Sequence, residues 1–228
     1  MGGEICPPRR EQKANIMELK RFVVNPVQVN CYLIWDESKE ALLIDCAACF
    51  IRERRSILEF ITSNGLTIKH HLNTHLHFDH ILGNAFVEET FGIKSEANDA
   101  DWSWAEHVKE RAARFGVKYE ETIPALGRIL NEGDEVTFGT HRIKVIAVPG
   151  HSPGSLAFYI PEENMLFSGD TIFHGSIGRT DFPDSDHYRF ITEIRNKLLT
   201  LPEETIVYPG HDRETTIGFE KAYNMYLR

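Results

Sequence analysis

The first part of the chain contains three short apolar runs followed by a segment with helical spacing. "MELKRFVV", "VQVNCYLIW" and "EALLID" are rich in β-branched and aromatic residues. They are interrupted by Asn25-Pro26 and by "DESKE", which predicts three consecutive antiparallel strands. The next segment, "FIRERRSILEFITSNG", predicts a helix that stops at Gly65. Its apolar residues recur at helical spacing: Ile51, Ile57, Leu58 and Ile61.

The middle of the chain continues with one strand and two helices. "TIKHHLNTH" predicts a strand, and "AFVEETFG" predicts a helix shortly after it. "EANDADWSWAEHVKERAARFG" predicts one longer helix, because Trp104, Val108 and Ala112 fall on the same face.

The second half again places strands before helices. "EVTFG", "HRIKVIAV", "SLAFYI" and "NMLFSGD" predict four strands separated by Gly, Pro or Asn. "DSDHYRFITEIRNKLLTL" predicts an amphipathic helix, "TIVYPG" a last strand and "TTIGFEKAYNMYL" a closing helix. Two sheets that face each other with helices outside satisfy this order. We therefore predict an α+β protein built as a four-layer αββα sandwich.

Composition and charge narrow the class of protein. With 228 residues, 42% of them hydrophobic, the chain predicts a single domain over residues 17–228. Residues 1–16 are polar and carry Pro7-Pro8, so we predict that they form a disordered extension. No apolar run reaches the roughly 18 residues of a membrane span, and the N-terminus lacks an apolar signal region, which predicts a cytoplasmic protein. A net charge of −9 disfavours nucleic acid as a partner.

Four cysteines, without a signal peptide, are predicted to be reduced thiols: Cys6, Cys31, Cys46 and Cys49. Cys46 and Cys49 form a C-x-x-C, but a second such pair is absent, so these two residues alone cannot assemble a four-thiolate zinc site. A redox pair activated by a helix dipole is one interpretation. We favour the interpretation that Cys46 and Cys49 are two small residues that fill a strand-to-helix turn.

A dense group of ligand-type side chains follows the predicted strand "TIKHHLNTH". "NTHLHFDHILGN" carries His75, His77, Asp79 and His80 within six positions. Neutral imidazoles and carboxylates suit zinc, iron or manganese. His75 and His77 can point the same way at the strand end, while Asp79 and His80 on the following turn can face a second point. One ion could not easily use all four, so the spacing predicts a metal site with room for more than one ion.

Further ligand-type residues occur singly beside glycine at predicted strand ends. They are His151 in "VPGHSPGS", Asp170 in "LFSGDTIF" and His211 in "VYPGHDRE". A lone His or Asp is more often structural than a ligand. Three in the same kind of position reinforce one another. Five other histidines lack ligand spacing and are predicted to be surface or packing residues: His70, His71, His107, His141 and His187.

The motifs together resemble the metallo-β-lactamase superfamily. "THLHFDH", "PGHSPGS", "FSGDTIFHGSIGRTDFP" and "YPGHDRETTIGFEKAYN" occur in the family's order, and the resemblance to glyoxalase II-like hydrolases covers Met17 to Leu227. It implies an αββα sandwich with two divalent metal ions, zinc foremost and otherwise iron or manganese. It also implies how seven residues divide between the ions: His75, His77 and His151 on one, Asp79, His80 and His211 on the other, and Asp170 bridging both.

The implied activity is hydrolysis of a thiolester such as an S-acyl-glutathione. Two ions held there would supply a hydroxide nucleophile and positive charge for the developing oxyanion. Asp79, besides being a ligand, is the expected catalytic residue because its carboxylate can orient the attacking water. The expected partner is therefore a small-molecule thiolester.

Residues near the metals have less specific signals. Asp45 is a candidate to hold a ligand imidazole through its free N–H, although capping a strand end is an equal alternative. The family usually follows this aspartate with Pro-Gly, whereas this chain has Cys46-Ala47. The loop "GSIGRTD" predicts a cleft lined by Phe173, His174 and Arg179. For Arg179, a salt bridge to Asp181 or Asp170 is the alternative.

Two other functions compete with the hydrolase. A persulfide dioxygenase shares the motifs but uses one iron held by two histidines and a carboxylate. A non-catalytic metal-binding protein is the third possibility. The complete set of seven ligand-type residues and "SIGRTDFP" favour the hydrolase over both.

Overall fold

The computed structural model of the chain describes residues 17–228, so the predicted extension over residues 1–16 lies outside the described residues. The strands are β1 (Glu18–Val24), β2 (Val29–Trp35), β3 (Glu40–Ile44), β4 (Thr67–Leu72), β5 (Ser95–Ala97), β6 (Arg128–Ile129), β7 (Glu135–Phe138), β8 (His141–Ala147), β9 (Leu156–Ile160), β10 (Met165–Gly169), β11 (Ile172–Phe173), β12 (Ser176–Ile177), β13 (Ile206–Pro209) and β14 (Thr215–Thr216). The helices are α1 (Ile51–Ser63), α2 (Phe78–Ile81), α3 (Asn84–Phe91), α4 (Trp102–Glu106), α5 (Val108–Arg114), α6 (His187–Glu193) and α7 (Ile217–Tyr223), with 3₁₀ turns at Asp99–Asp101 and Pro161–Glu163.

The strands form two six-stranded sheets and one small hairpin. Sheet one has the order β1-β2-β3-β4-β5-β6; its first three strands are antiparallel, as predicted, and β3 to β6 are parallel. Sheet two has the order β14-β13-β10-β9-β8-β7, in which only β10 and β13 pair in parallel. A parallel pair needs a crossover connection, which α1 supplies between β3 and β4. β11 and β12 form a separate hairpin.

The buried side chains define four layers and confirm the αββα sandwich. Between the sheets, Leu42 and Leu72 of sheet one pack with Val145 and Phe158 of sheet two. A second cluster joins the outer face of sheet one to α1 and α3. A third joins the outer face of sheet two to α6 and α7. Both faces of each sheet are therefore covered, which explains why all of β2, β9 and β10 are buried.

Helix α1 occurs where predicted, but two of its four predicted apolar positions do not face the core. Ile57 and Ile61 are buried against sheet one, while Ile51 is 78% exposed and Leu58 is also exposed. The Glu53 carboxylate accepts hydrogen bonds from the backbone N–H groups of Cys49 and Phe50 and so satisfies free donors at the helix start. The helix is therefore stabilised by packing of a narrow buried stripe against sheet one.

The single long helix predicted over residues 96–116 is wrong. The segment contains the last two residues of β5, a 3₁₀ turn, α4 and α5, with a break at His107. His107 Nδ1 donates to the Ser103 carbonyl oxygen at 2.8 Å, which is the acceptor that its own backbone N–H would use in a continuous helix. That N–H bonds instead to Ala105. The three residues predicted on one face, Trp104, Val108 and Ala112, are nevertheless all buried.

Several short elements were not predicted from the sequence. β5, β6, β11, β12 and β14 have two or three residues each, too few for a period of two to stand out. The helix predicted over "DSDHYRFITEIRNKLLTL" begins at α6 and continues as a π-helical turn over Ile194–Leu198. None of the helices in residues 17–228 has the length and apolar character that a membrane span needs.

His71 on β4 generates a prediction about stability and pH. Its imidazole is fully buried, both ring nitrogens lack a hydrogen-bond partner, and burial lowers its pKa from 6.5 to about 3. Below pH 6.5 the His71 imidazole is protonated in the unfolded chain but stays neutral in the folded chain. The free energy of unfolding therefore falls as the pH falls from 6.5 toward 3. The loss from this residue is about 2 kcal/mol at pH 5. Urea unfolding of the chelator-treated proteins at pH 7 and pH 5 measures this loss. Between these pH values the free energy of unfolding should fall less in His71→Leu than in the wild type, by that amount. An equal fall in both proteins would contradict the prediction.

Candidate metal centre

The predicted ligand residues follow strands whose carboxyl ends meet at one edge of the sandwich. His75 and His77 follow β4, Asp79 and His80 lie in α2, and His151, Asp170 and His211 follow β8, β10 and β13. β8 and β10 each pair antiparallel with β9, and β13 is parallel to β10, so these three strands run in the same direction. The Leu156 N–H donates to the Thr74 carbonyl oxygen at 2.7 Å and joins the end of β4 to this edge of sheet two.

His75, His77 and His151 form one group of converging donor atoms. Their ligand atoms lie within 4.8 Å of one another, and all three residues are buried. His77 Nδ1 and His151 Nε2 are 3.0 Å apart. Two nitrogens bound at 2.0–2.1 Å to one tetrahedral zinc ion are roughly 3.3 Å apart, so this spacing fits shared coordination.

Asp79, His80 and His211 form a second group beside the first. Their ligand atoms also lie within 4.8 Å of one another. Asp79 Oδ2 is 3.4 Å from His211 Nε2 and 3.9 Å from His80 Nε2. The two groups correspond to the division that the family resemblance implies.

Asp170 lies between the two groups. Its Oδ1 is 3.3 Å from His80 Nε2, and its Oδ2 is 3.7 Å from His151 Nε2 and 3.6 Å from His211 Nε2. The backbone of Gly210 passes so close that a Cβ there would be 2.3 Å from Asp170 Oδ1. One carboxylate therefore faces nitrogen atoms of both groups, and glycine is required behind it.

The buried charges of the site strongly perturb one another. Burial alone would raise the pKa of Asp170, but His80 and His211 outweigh it and hold that pKa well below its usual range. Burial would lower the pKa of His80, but Asp170, Asp45 and Asp79 raise it well above its usual range. His77, by contrast, has its pKa lowered to about 3 by burial and by His151. The site thus combines carboxylates that stay ionised with imidazoles that differ sharply in basicity.

The donor atoms of this site fit divalent metal ions. Three buried side-chain atoms that face the site have no hydrogen-bond partner among residues 17–228: His75 Nε2, His80 Nε2 and Asp170 Oδ1. Buried polar atoms are nearly always hydrogen-bonded, so three neighbouring atoms without such partners require another explanation. Imidazole nitrogens and carboxylate oxygens are ligands for zinc, iron and manganese.

Asp45 orients His80 from the side opposite Asp170. Asp45 Oδ2 accepts from His80 Nδ1 at 2.9 Å and from Thr74 Oγ1 at 2.7 Å, and Oδ1 accepts from the Thr74 backbone N–H at 2.8 Å. Because Nδ1 is bonded to Asp45, Nε2 is the nitrogen of His80 that faces the site. Asp45 itself has φ of 50°, a left-handed conformation that Asp tolerates better than most residues. This geometry supports the imidazole-holding role over simple capping of a strand end.

The turn after Asp45 accommodates Cys46-Ala47 in place of the family's Pro-Gly. Cys46 is completely buried, and a Cβ on Gly83 would lie 2.2 Å from its carbonyl oxygen. Cys49 is half-buried, and burial raises the pKa of its thiol to about 11. A thiolate is therefore disfavoured at neutral pH, which supports the turn-filling interpretation of the C-x-x-C.

Two supporting contacts of the site were not predicted. His151 Nδ1 donates to the backbone carbonyl oxygen of Arg179 at 2.7 Å. The buried carboxylate of Asp101 accepts from Leu76 N–H, Ser152 Oγ and Gly154 N–H, which ties the His75–His77 loop to the His151 loop. No spacing in "EANDADW" identifies this aspartate, because its partners lie 25 to 53 positions away.

A cleft of about 860 Å³ opens onto the metal-binding groups, and two of the three predicted substrate contacts line it. Phe173 and Arg179 are in its wall. The Arg179 guanidinium makes a two-pronged ion pair with Asp181 at 2.8 and 2.9 Å, the alternative noted from the sequence, and does not pair with Asp170. His174 lies outside the lining and packs on Phe219, because it follows Phe173 in the tight β11–β12 turn and adjacent side chains point in opposite directions.

Trp104 and Phe182 were missed as cleft residues. The Trp104 ring lies 4.1 Å from the His77 ring between centroids, and the Phe182 ring lies 5.0 Å from it. Trp104 Nε1 donates to Asp184 at the rim. Aromatic side chains therefore cover one side of the metal-binding groups, a surface for an apolar part of a ligand.

Comparison with protein families identifies the superfamily of the chain. A family model described as the metallo-beta-lactamase superfamily matches residues 24–211. The chain belongs to this superfamily. Among curated superfamily relatives, the hydroxyacylglutathione hydrolase GloC of Haemophilus influenzae is 34% identical over 212 residues, covering 92% of this chain and 98% of that protein. The probable metallo-hydrolase YqgX of Bacillus subtilis is 32% identical over 92% of this chain and 98% of its own length.

Solved superfamily structures agree with the fold. The BLEG-1 B3 metallo-beta-lactamase has a TM-score of 0.83 and 35% identity, covering 92% of this chain and 99% of its own. TTHA1623 in a di-iron-bound form has a TM-score of 0.81 and 35% identity, covering 91% and 100%. ETHE1 from Myxococcus xanthus has a TM-score of 0.74 and 26% identity, covering 91% and 83%. The predicted superfamily and fold are thereby confirmed.

The Asp45 contacts generate a prediction about metal affinity. An amide replaces one acceptor oxygen by an NH2 group, so in Asp45→Asn either the Thr74 backbone N–H or the His80 Nδ1–H faces a donor instead of an acceptor, and zinc affinity should fall about 10- to 100-fold. Competition with a chromophoric chelator measures this fall. Asp36→Asn, which alters a buried carboxylate elsewhere in the fold, is the matched control and should bind zinc as the wild type does. Equal affinities in all three proteins would contradict the orienting role of Asp45.

Proposed function

We propose that the protein is a binuclear metal-dependent hydrolase that cleaves thiolesters of the S-acyl-glutathione type. The observation that carries the proposal is the position of Asp170, whose carboxylate faces His151 of one donor group and both His80 and His211 of the other. A carboxylate shared between two histidine-rich groups suits two adjacent ions better than one.

Two divalent ions bound there would supply a hydroxide nucleophile at neutral pH and positive charge for the developing oxyanion. Zinc is our first choice, and iron and manganese fit the same donors. We assign His75, His77 and His151 to one ion, as the sequence motifs imply.

Asp79, His80 and His211 are assigned to the other ion, with Asp170 between the two. Asp79 has a second role in the proposal, because its carboxylate can accept a hydrogen bond from the attacking water and so orient it. The aromatic side chains of Trp104, Phe173 and Phe182 exclude bulk water from this side of the site. Asp45 holds His80 in the tautomer whose Nε2 is free to bind metal.

The substrate assignment is supported by the relatives and by the cleft. GloC of Haemophilus influenzae, described as a hydroxyacylglutathione hydrolase, aligns over nearly its whole length with this chain. The cleft has the size and mixed lining of small-molecule sites, which supports a thiolester as the partner.

The proposal includes a single working domain and a cytoplasmic location. Donor residues come from both sheets, so neither sheet could form the site alone, which supports one domain over residues 17–228. The described cysteines, Cys31, Cys46 and Cys49, are free thiols, which supports a reducing compartment.

An iron-dependent persulfide dioxygenase is the second candidate. The structural likeness to ETHE1 from Myxococcus xanthus is compatible with it. It requires one iron with two histidines and a carboxylate, which would leave several of the converging donors without a metal.

The metal content distinguishes these candidates. After loading with excess zinc, manganese or iron(II) and removal of free metal, elemental analysis should approach two ions per chain, because seven donors exceed the needs of one ion. His211→Ala should lower the ratio, while His187→Ala, at an exposed histidine outside the donor groups, should not. A ratio that never exceeds one, with metal and activity kept in both Asp79→Ala and His211→Ala, would favour the dioxygenase.

The reaction is tested by release of free thiol from S-lactoylglutathione. The two-metal protein should hydrolyse it, and Asp170→Asn should lose at least about 100-fold in kcat/KM because several kcal/mol of charge stabilisation depend on both ions. A β-lactam belongs in the same assay, since BLEG-1 is described as a B3 metallo-beta-lactamase. The proposal fails if the two-metal protein cleaves no thiolester while the iron-loaded protein consumes oxygen with glutathione persulfide.

A further inference from the structure

The wall of the cleft contributed by α4 and α5 carries a cation without a counter-ion. Arg111 lines the cleft, and within residues 17–228 its side chain makes no hydrogen bond or ion pair; its Nε is buried without a partner. Burial lowers the pKa of Arg111, and Arg114 on the same helix lowers it further. A partly buried guanidinium whose Nε has no hydrogen-bond partner is available to bind an anionic ligand.

The guanidinium of Arg111 is held in position by an aromatic ring. Its Cζ lies 3.3 Å from the centroid of the Trp104 ring, a stacked arrangement that restricts the side chain before any ligand arrives. Trp104 also contacts His77 of the metal-binding groups, with ring centroids 4.1 Å apart. The Trp104 indole therefore contacts both the Arg111 guanidinium and the His77 imidazole at the predicted reaction centre.

Two acidic side chains, Asp184 and Glu110, attract this cation electrostatically, but neither forms an ion pair with it among residues 17–228. The Asp184 carboxylate accepts from Trp104 Nε1. Glu110 is exposed and lines the cleft, again without an ion pair to either arginine among residues 17–228. Arg111 and Arg114 thus place two cationic side chains, neither with an ion pair among residues 17–228, in the wall beside the metal-binding groups.

An apolar surface lies next to the cation. Phe115 directly follows α5 and is 56% exposed, yet it stacks on Phe78 in the lining with ring centroids 4.8 Å apart. Arg114 is exposed in the same wall, three positions after Arg111 and therefore on a neighbouring part of the helix face. A ligand with an apolar body and an anionic end would satisfy both features.

We infer that Arg111, assisted by Arg114, binds a carboxylate on the substrate, so that the preferred substrates are thiolesters with an apolar body and a carboxylate remote from the reacting carbonyl. This inference rests on the proposed thiolester hydrolysis. Arg111 is assigned to substrate specificity and takes no part in bond cleavage. A planar guanidinium suits a carboxylate because two parallel N–H groups can reach its two oxygens.

The test compares two probes that differ only in charge. They are the S-acetyl thiolester of 3-(4-mercaptophenyl)propionate and the S-acetyl thiolester of its primary amide, assayed with the zinc-loaded full chain. Arg111→Met should raise KM for the carboxylate probe about 10- to 100-fold, while kcat for it and both constants for the amide stay within about threefold. Arg114→Met, at an exposed position, should shift the same ratio by roughly threefold.

Lys109→Met is the matched control, because Lys109 carries a charge on the same helix and lies outside the cleft lining. It should leave both probes within about twofold of the wild type. Equal losses on both probes in Arg111→Met, or no loss on either, would overturn the inference. Zinc content and the urea midpoint of each variant exclude a folding defect, and Arg111→Lys, which keeps the charge, should recover part of the discrimination.

A binding measurement separates this inference from the proposed function. If the zinc-loaded protein cleaves neither thiolester, the thiolesterase proposal fails, and calorimetric titration with 3-phenylpropionate and with 3-phenylpropanamide decides the inference alone. The wild type should bind the carboxylate at least about tenfold more tightly than the amide, and Arg111→Met should lose that preference. A preference kept in Arg111→Met would show that zinc, not the arginine, binds the carboxylate, and would overturn the inference.

Discussion

The structure depends on bringing imidazoles and carboxylates out of water and into contact at one edge of two sheets. Buried polar groups are tolerated only when they have partners. Asp45 satisfies the outward nitrogen of His80, and the Arg179 carbonyl oxygen satisfies that of His151. The inward atoms are left to one another and, in our proposal, to metal ions. This arrangement constrains the rest of the fold, because each loop that carries a site residue must be held in a fixed position at the same edge of the two sheets.

The supports of the site are distributed over the fold more widely than the donors themselves. Asp101, in a 3₁₀ turn, binds the backbone on both sides of the site. Gly210 leaves room behind Asp170. These residues have no metal-binding chemistry of their own, but they decide whether the donors converge. A metal site of this kind is therefore sensitive to changes well outside its donor set.

The wall of the cleft formed by α4 and α5 differs in character from the metal-binding edge. The edge is polar and tightly connected, whereas this wall has aromatic rings and arginines with few partners. The break at His107 matters for this difference, since α4 carries Trp104 and α5 carries Arg111 and the two helices meet there. Reactivity belongs to the edge, where the donors converge, and selectivity belongs to the wall in our proposal.

The sequence alone determined the class of fold, the order of its main elements and the seven donor residues that the structure brings together. Hydrophobic periodicity and dense local motifs are local properties, so a single chain displays them without its fold. Only the tertiary structure decided that His174 turns away from the cleft and that Asp101 ties the His75–His77 loop to the His151 loop. It also decided that Trp104 and Arg111 stack beside His77. Those facts depend on contacts between residues distant in the chain, and on turns of two or three residues, neither of which leaves a periodic signal in the sequence.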